Sequence, residues 1–343
     1  MSAAKKAAQL SDVARLAKVS TATASRALTL PHKVRPATAT RVQEAACSLG
    51  YVAHGAARAL ATRRTHTIGA VIPTLDNAIF ANIMHALQKT LDAAGYTLLL
   101  ACHEFDGAAE ANVTRALLAR GIDGLVLFGT SHDRQLYAMI EARRIPYVLA
   151  WAFDESGRHP SVGFVHRAAA RQLAEHLLDL GHREFAMICG ILAGNERVRQ
   201  RVRGVREALA ARGLQLAPGR LIEKPYSLAS GREGLRVLMS DPNPPTAVMC
   251  GNDVLAIGAI AECAALGIRV PQQLSVTGFD DMEIASLLSP GLTTMHFPAD
   301  ELGRLAAEHL LAQLSGRHTQ WQRELAVELK VRGTTAPPAR MPR

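Results

Sequence analysis

Two sets of residues carry the chemistry that can be read from this chain. The first is the run Ser20-Thr-Ala-Thr-Ala-Ser-Arg-Ala-Leu28, in which small polar side chains and one arginine stand where a second short helix is expected to begin. Such residues let backbone amides approach phosphate groups closely, and Arg26 has the planar fork that fits a guanine edge. The second set lies just beyond a series of apolar runs: Asp76, Asn77 and Phe80, then Trp151, then Asn195, Arg197 and Arg201, then Asn252 and Asp253, then Asp280 and Asp281. Planar hydrogen-bonding groups gathered around aromatic rings suit a carbohydrate, because carboxylates and amides grip hydroxyls while a ring covers the C–H face. Motifs for a phosphate-cradling glycine–lysine loop, a Gly-x-Ser-x-Gly nucleophile or a His-Glu-x-x-His metal helix do not occur. The histidines have no metal-ligand spacing, and neither a cofactor nor a metal is expected.

Charge separates the two sets. Residues 1–66 hold 11 Lys and Arg against 2 acids, while the remaining 277 residues hold 28 of each sign, so the whole excess of +9 lies in the first segment. Segregation on this scale points to a polyanionic partner rather than to general solubility. The alternative, a basic disordered tail, sits poorly with the helix signals of that segment. Five scattered cysteines without a C-x-x-C pair fit reduced thiols. The start of the chain is basic but lacks an apolar stretch behind it, and no long apolar run appears further on, so we expect a cytoplasmic protein without a membrane span.

Helices must position the first set. Ser11 is a plausible cap for a helix in which Val13, Leu16 and Ala17 share one face, Lys18-Val19 makes a turn, and Ser20 caps the next helix. A third helix over Ala37–Leu49 supplies Val42, Ala45, Ala46 and Leu49, and Gly50 ends it. Two short helices joined by a tight turn form a helix-turn-helix. Strands expected at Ile68–Pro73, Thr97–Ala101, Gly124–Phe128, Pro146–Trp151, Phe185–Cys189, Ala247–Cys250 and Ser275–Gly278 alternate with helices such as Phe80–Ala94, Ala168–Leu180 and Asp253–Leu266. Repeated βα units argue for parallel, doubly wound sheets, too many for one sheet and so divided into two lobes, with ligands bound beyond the strands' carboxyl ends. Asp253 is expected to cap its helix, and Arg199, Arg203 and Arg206 to form a solvated face. No leucine heptad continues past Leu314, so no tetramerising tail is evident.

The pattern Leu10-x-Asp-Val-Ala-x-x-Ala-x-Val-Ser-x-x-Thr-x-Ser-Arg-x-Leu28, with Val34 and Leu49-Gly-Tyr51, resembles the lac repressor–galactose repressor family, and the similarity runs across nearly the whole chain. The resemblance implies an α/β protein: an all-α helix-turn-helix headpiece and a two-lobed, periplasmic-binding-protein-like sensor. It implies a disordered arm over 1–9, a headpiece over 10–54, a hinge over 55–66, a sensor over 67–334 and a tail over 335–343. The sensor's N-lobe is expected at about 67–158 and 296–320, and its C-lobe at about 159–295 and 321–334. By the same resemblance Thr21 and Ala22 read bases beside Arg26, and Ser20, Thr23 and Ser25 contact phosphates. Leu60 wedges into the minor groove within a hinge helix that forms on DNA, with Arg58 near the phosphates. The plainer alternative for Leu60 is a linker leucine.

In the sensor, the resemblance gives Arg201, Asn252 and Asp280 the hydroxyls or acid group of an effector, and makes Phe80 and Arg197 wall positions; Asn195 and Trp151 complete the set. This chain departs from the pattern at Lys18 in the turn, at the apolar Ala22, at Ala53-His54, and at Trp151, where sugar-binding members can carry a carboxylate. The implied function is a homodimeric transcription regulator, expected to repress, that binds a palindromic double-stranded DNA operator and is switched by a small sugar. Similarity to a gluconate-responsive branch through Ile72-Pro73-x-x-x-Asn77-x-x-Phe80 and Val162-Gly163-Phe164 points to a sugar acid. The alternatives are a stand-alone sugar-binding protein and a sugar-processing α/β enzyme.

Overall fold

The computed structural model describes residues 7–52, 59, 64–317 and 321–339. The chain divides into two compact units between His66 and Thr67. In the first unit, α1 (Leu10–Leu16), α2 (Thr21–Thr29) and α3 (Pro36–Ser48) surround a small core of Val13, Ala14, Ala17, Ala24, Ala27, Val42, Ala45 and Ala46. Six of these eight are alanines, so the helices approach closely and the core is thin. Ser11 does not cap α1. Gln9 does, in a reciprocal arrangement with Asp12, whose carboxylate accepts from the Gln9 amide at 3.0 Å. The turn residue Lys18 has φ 53°, in the left-handed region that costs a side-chain-bearing residue about 1 kcal/mol. Ser20 caps α2 by accepting from the Thr23 amide at 3.1 Å. Proline at the first position of α3 starts that helix one residue earlier than expected.

The second unit runs β1 (Thr67–Ile72), α4 (Ala78–Ala93), β2 (Thr97–Cys102), α5 (Gly107–Ala119), β3 (Gly124–Phe128), α6 (Arg134–Arg143), β4 (Tyr147–Ala152), β5 (Ser161–Phe164) and α7 (His166–Asp179). It continues with β6 (Phe185–Cys189), α8 (Glu196–Ala210), β7 (Leu221–Glu223), α9 (Leu228–Met239), β8 (Ala247–Cys250), α10 (Asp253–Ala265), β9 (Ser275–Thr277) and α11 (Glu283–Leu287). The last elements are β10 (Thr294–His296), α12 (Ala299–Leu314), β11 (Gln322–Glu324) and β12 (Glu328–Lys330). Two parallel sheets result, ordered β11-β5-β4-β3-β1-β2 and β7-β6-β8-β9, with β10 and β12 forming an antiparallel pair.

The lobe limits drawn from the sequence need correction. Ser161–Phe164 pairs in parallel with Leu149–Ala152, and Gln322–Glu324 pairs with Ser161–Gly163, so both segments belong to the first lobe's sheet rather than to the C-lobe. The chain therefore changes lobe at Phe164–His166, again around β10, and a third time around β12. Helix pairs α4–α12, α7–α8 and α9–α10 cover the sheets, and their apolar faces meet fully buried strands such as Gly124–Phe128 and Phe185–Cys189. Among the described residues no helix is long and apolar enough to cross a membrane.

Candidate functional site

The first unit offers one chemically distinctive surface. Thr21, Ala22 and Arg26 are exposed, and Ser20, Thr23 and Ser25 lie beside them on the first two turns of α2. The Ser20 hydroxyl is within 2.9 Å of the Thr23 hydroxyl, so the two hold each other at the helix start. Ala24 and Ala27 face inward and fix which side of α2 is presented. Arg15 is neutralised by Asp12, whereas Lys18, Arg26, Lys33, Arg35 and Arg41 have no acidic partner among the described residues. Arg58 and Leu60 lie outside the described residues.

The second unit brings the other predicted residues together. Phe80, Trp151, Asn195, Arg197, Arg201, Asn252 and Asp280 all line one small cavity, with Asn77, Phe105, Val198 and Tyr226 beside them. Asn77, Phe105, Asn195 and Tyr226 also line a neighbouring vestibule of about 400 Å³, walled in addition by Thr74, Asp76 and Glu104. The residues come from the carboxyl ends of strands in both lobes, as doubly wound sheets require. Trp151 lies within β4 and packs on Phe80 at 4.6 Å and on Phe297 at 5.3 Å between ring centroids. Asn77, Asn195 and Asn252 each cap a helix, and this sets the direction of their amides. Asp253 was expected to cap α10, but Asn252 does so, accepting from the Leu255 amide at 3.0 Å. The Asp253 carboxylate instead accepts from the Thr294 hydroxyl at 2.6 Å and the Met282 amide at 2.7 Å, and so ties α10 to the segment returning to the first lobe. Arg199, Arg203 and Arg206 are exposed, as expected of a solvated face.

Arg201 is the centre of the inner end. It is 5% exposed, donates to the Gly251 carbonyl and to His166 Nδ1 at 3.2 Å, and its guanidinium lies 3.7 Å from the centroid of the Phe279 ring. Accepting from a guanidinium leaves Nδ1 of His166 without a proton; burial and this neighbour hold that imidazole well below its usual range. Asp280 stands 3.9 Å from Arg201, too far to accept a hydrogen bond, and burial pushes its carboxyl up to about 8 against the attraction of that arginine. Arg197 reaches the other lobe, donating to the Phe128 carbonyl at 3.0 Å, while Glu196 accepts from the Thr130 amide at 3.0 Å. Gly129 (φ +105°) makes room for this grip, since a Cβ there would lie 2.2 Å from the Glu196 carboxylate.

A stability consequence follows from Asp280. Its folded carboxyl holds the proton more tightly than the unfolded one near 3.8, so ionisation destabilises the fold progressively as pH rises from about 4 to about 8. Asn at this position cannot ionise. The melting temperature of Asp280→Asn minus that of the parent should therefore grow across that interval and level off above it, as measured by thermal melts in a pH series. A flat difference would show that Asp280 is ionised throughout.

Sequence reasoning missed Phe105 and Tyr226, which line the same cavities and whose ring centroids stand 6.3 Å apart. Phe105 follows β2, where the same strand-end rule points. Tyr226 follows β7, which has only three residues and no fully buried one, so it left no apolar run to find. Gly190 lies beneath Tyr226: a Cβ there would come within 2.5 Å of its ring and hydroxyl. Among the described residues no group of His, Cys, Asp and Glu could hold a metal ion.

Comparison with known proteins bears on both units. Residues 9–54 match the description "Bacterial regulatory proteins, lacI family", and residues 174–335 match "Periplasmic binding protein-like domain". The chain is 33% identical over 335 residues to the HTH-type transcriptional repressor CytR of Escherichia coli K12, covering 96% of each. It is 36% identical over 330 residues to the HTH-type transcriptional regulator GntR of Pseudomonas aeruginosa PAO1, covering 95% of each. Its fold is similar to the crystal structure of the lac repressor dimer bound to operator and the anti-inducer ONPF, with a TM-score of 0.83 and 29% identity over 96% of this chain and all of that one.

Proposed function

The chain belongs to the lacI family of bacterial regulatory proteins, and on that premise we propose that it represses transcription in the cytoplasm as a homodimer on a near-palindromic operator, released or tightened by a small sugar or sugar acid. It is a DNA-binding transcription regulator with a ligand-binding sensor unit, and we assign it no enzymatic role. The observation that carries the DNA reading is the unpaired positive charge around the exposed start of α2, in a segment holding the entire excess of +9. One helix-turn-helix buries little DNA surface, so two headpieces on two half-sites give a useful affinity. Thr21, Ala22 and Arg26 face bases, and Ser20, Thr23 and Ser25 face phosphates. Leu60 wedges into the minor groove with Arg58 near the phosphates, an assignment that rests on sequence alone. The effector lies among Phe80, Trp151, Asn195, Arg197, Arg201, Asn252 and Asp280. A coupling of about 1–3 kcal/mol between effector and operator is enough for a switch.

The DNA reading predicts a steep dependence on salt. With about 6 phosphates neutralised per dimer, the logarithm of the operator association constant should fall with the logarithm of salt concentration at a slope near −5. Fluorescence anisotropy of a labelled operator across a salt series measures it, and a slope near zero would remove the headpiece assignment.

A further inference from the structure

We propose that the outer face of α8 is a docking surface for a second protein, one that presents a bulky apolar side chain flanked by acidic residues. The surface belongs wholly to the second unit and shares no lining residue with the cleft. It stands whatever the effector is.

The surface follows from the spacing of residues on α8. Arg199, Arg203, Arg206 and Ala210 recur at intervals of four, three and four, so they form one stripe along the helix. All four are exposed, and Ala210 leaves a gap in the stripe because it carries only a methyl group. Val202 and Leu192 border that gap, and the result is a concavity of about 580 Å³ with an apolar floor and a basic rim. Two of the rim arginines are fixed. Arg199 donates to the Leu192 carbonyl at 2.7 Å, and Arg203 donates to the Glu207 carboxylate at 2.8 Å. The opposite side of α8 carries Arg197, Val198 and Arg201 to the inner cavity, so a partner seated on the outer face holds the same helix that lines the cleft.

Charge identifies the occupant. Glu207 is the one acid lining the concavity, and Arg203 shares it with Arg167, which lies 3.4 Å away. Arg199 and Arg206 have no acidic partner among the described residues. Other helices of this unit neutralise their arginines locally: Arg171 meets Glu175, Arg304 meets Glu301 and Glu308, and Arg232 and Arg236 share Glu262. The rim of the α8 concavity is therefore left with net positive charge. An apolar hollow ringed by guanidinium groups complements an acidic segment with an apolar anchor. Seating the anchor removes apolar surface from water, and carboxylates meeting the rim set partner choice and encounter rate. Nucleic acid would engage the arginines and leave the hollow empty, since phosphates bring no apolar group to fill it.

The test is a selection of random dodecapeptides displayed on phage, run on the full-length protein saturated with its operator duplex so that the headpiece is occupied. Enriched peptides should share a Leu, Phe, Met or Trp flanked by Asp or Glu. A labelled synthetic peptide of the enriched sequence is then followed by fluorescence anisotropy. Its affinity should fall about tenfold or more in the Arg199→Glu, Arg206→Glu double variant, and by a similar factor in Ala210→Trp, which fills the hollow without changing charge. Replacing the peptide's apolar anchor by Ser should cost as much. Operator affinity and melting temperature equal to the parent's show that a variant is folded, and either variant alone decides if the other does not fold. No shared motif, a motif without acids, or a peptide that binds a folded variant as tightly as the parent would overturn the assignment. Displacement of the peptide by a nonspecific duplex at equal charge would also overturn it, by making the face a general polyanion site.

Discussion

With Arg201 replaced by alanine, the protein should keep its operator affinity and stop responding to its effector. Arg201 is buried at the inner end of the cleft and touches Gly251, His166, Phe279 and Asp280, all within the second unit. On the proposed assignment, removing it takes away a charge-assisted bond to the effector, and truncating one partner of such a buried pair should cost about 2–5 kcal/mol, or about 30-fold to several thousandfold in effector affinity. The substitution also opens space beside Phe279 and removes the donor to His166 Nδ1, so the second unit should melt at a lower temperature. Operator anisotropy is therefore read well below that temperature, with and without effector. A variant that responds at parental effector concentrations would put the ligand site elsewhere.

The second large effect concerns reading of the operator. Arg26→Ala should cost about 1–3 kcal/mol of operator affinity and relax the preference at one base pair in each half-site, because a bidentate contact to a guanine edge is lost. Ala22 has only a methyl group to offer, so enlarging it should change which base is preferred rather than abolish binding. Selection from a randomised duplex pool with each variant measures both effects. Base preferences identical to the parent's in both variants would rule out α2 as the reading helix.

What the sequence made legible was local. Ser20 before a run of small residues reads as a cap, and its hydroxyl does accept from the Thr23 amide. Apolar runs bounded by polar residues gave the long buried strands, and the strand-end rule then placed seven cleft residues that share one cavity. What depended on distant partners was not legible. Ser161–Phe164 and Gln322–Glu324 joined the first lobe through pairing with each other and with β4, across more than 150 residues of chain. Asn252 and Asp253 are both good caps by type, and the choice between them was made by Thr294 and Met282, which claim the Asp253 carboxylate. At α1 the deciding feature was the return bond from Asp12, which set Gln9 as the cap two residues before Ser11. Tyr226 enters the cleft because Gly190 leaves room for it, a relation between residues 36 apart with no local trace.

The central claim is that this chain recognises one operator as a symmetric pair and that occupancy of its cleft alters that recognition. The most direct measurement is a selection of duplex DNA by the purified full-length protein, followed by anisotropy of the enriched sequence with and without the tightest-binding compound from a titration of sugars and sugar acids. The expected result is a single enriched motif with twofold symmetry, whose affinity shifts about 5- to 150-fold when the compound is added. Enrichment of no motif, or of one without a dyad and indifferent to every compound that binds the cleft, would contradict it.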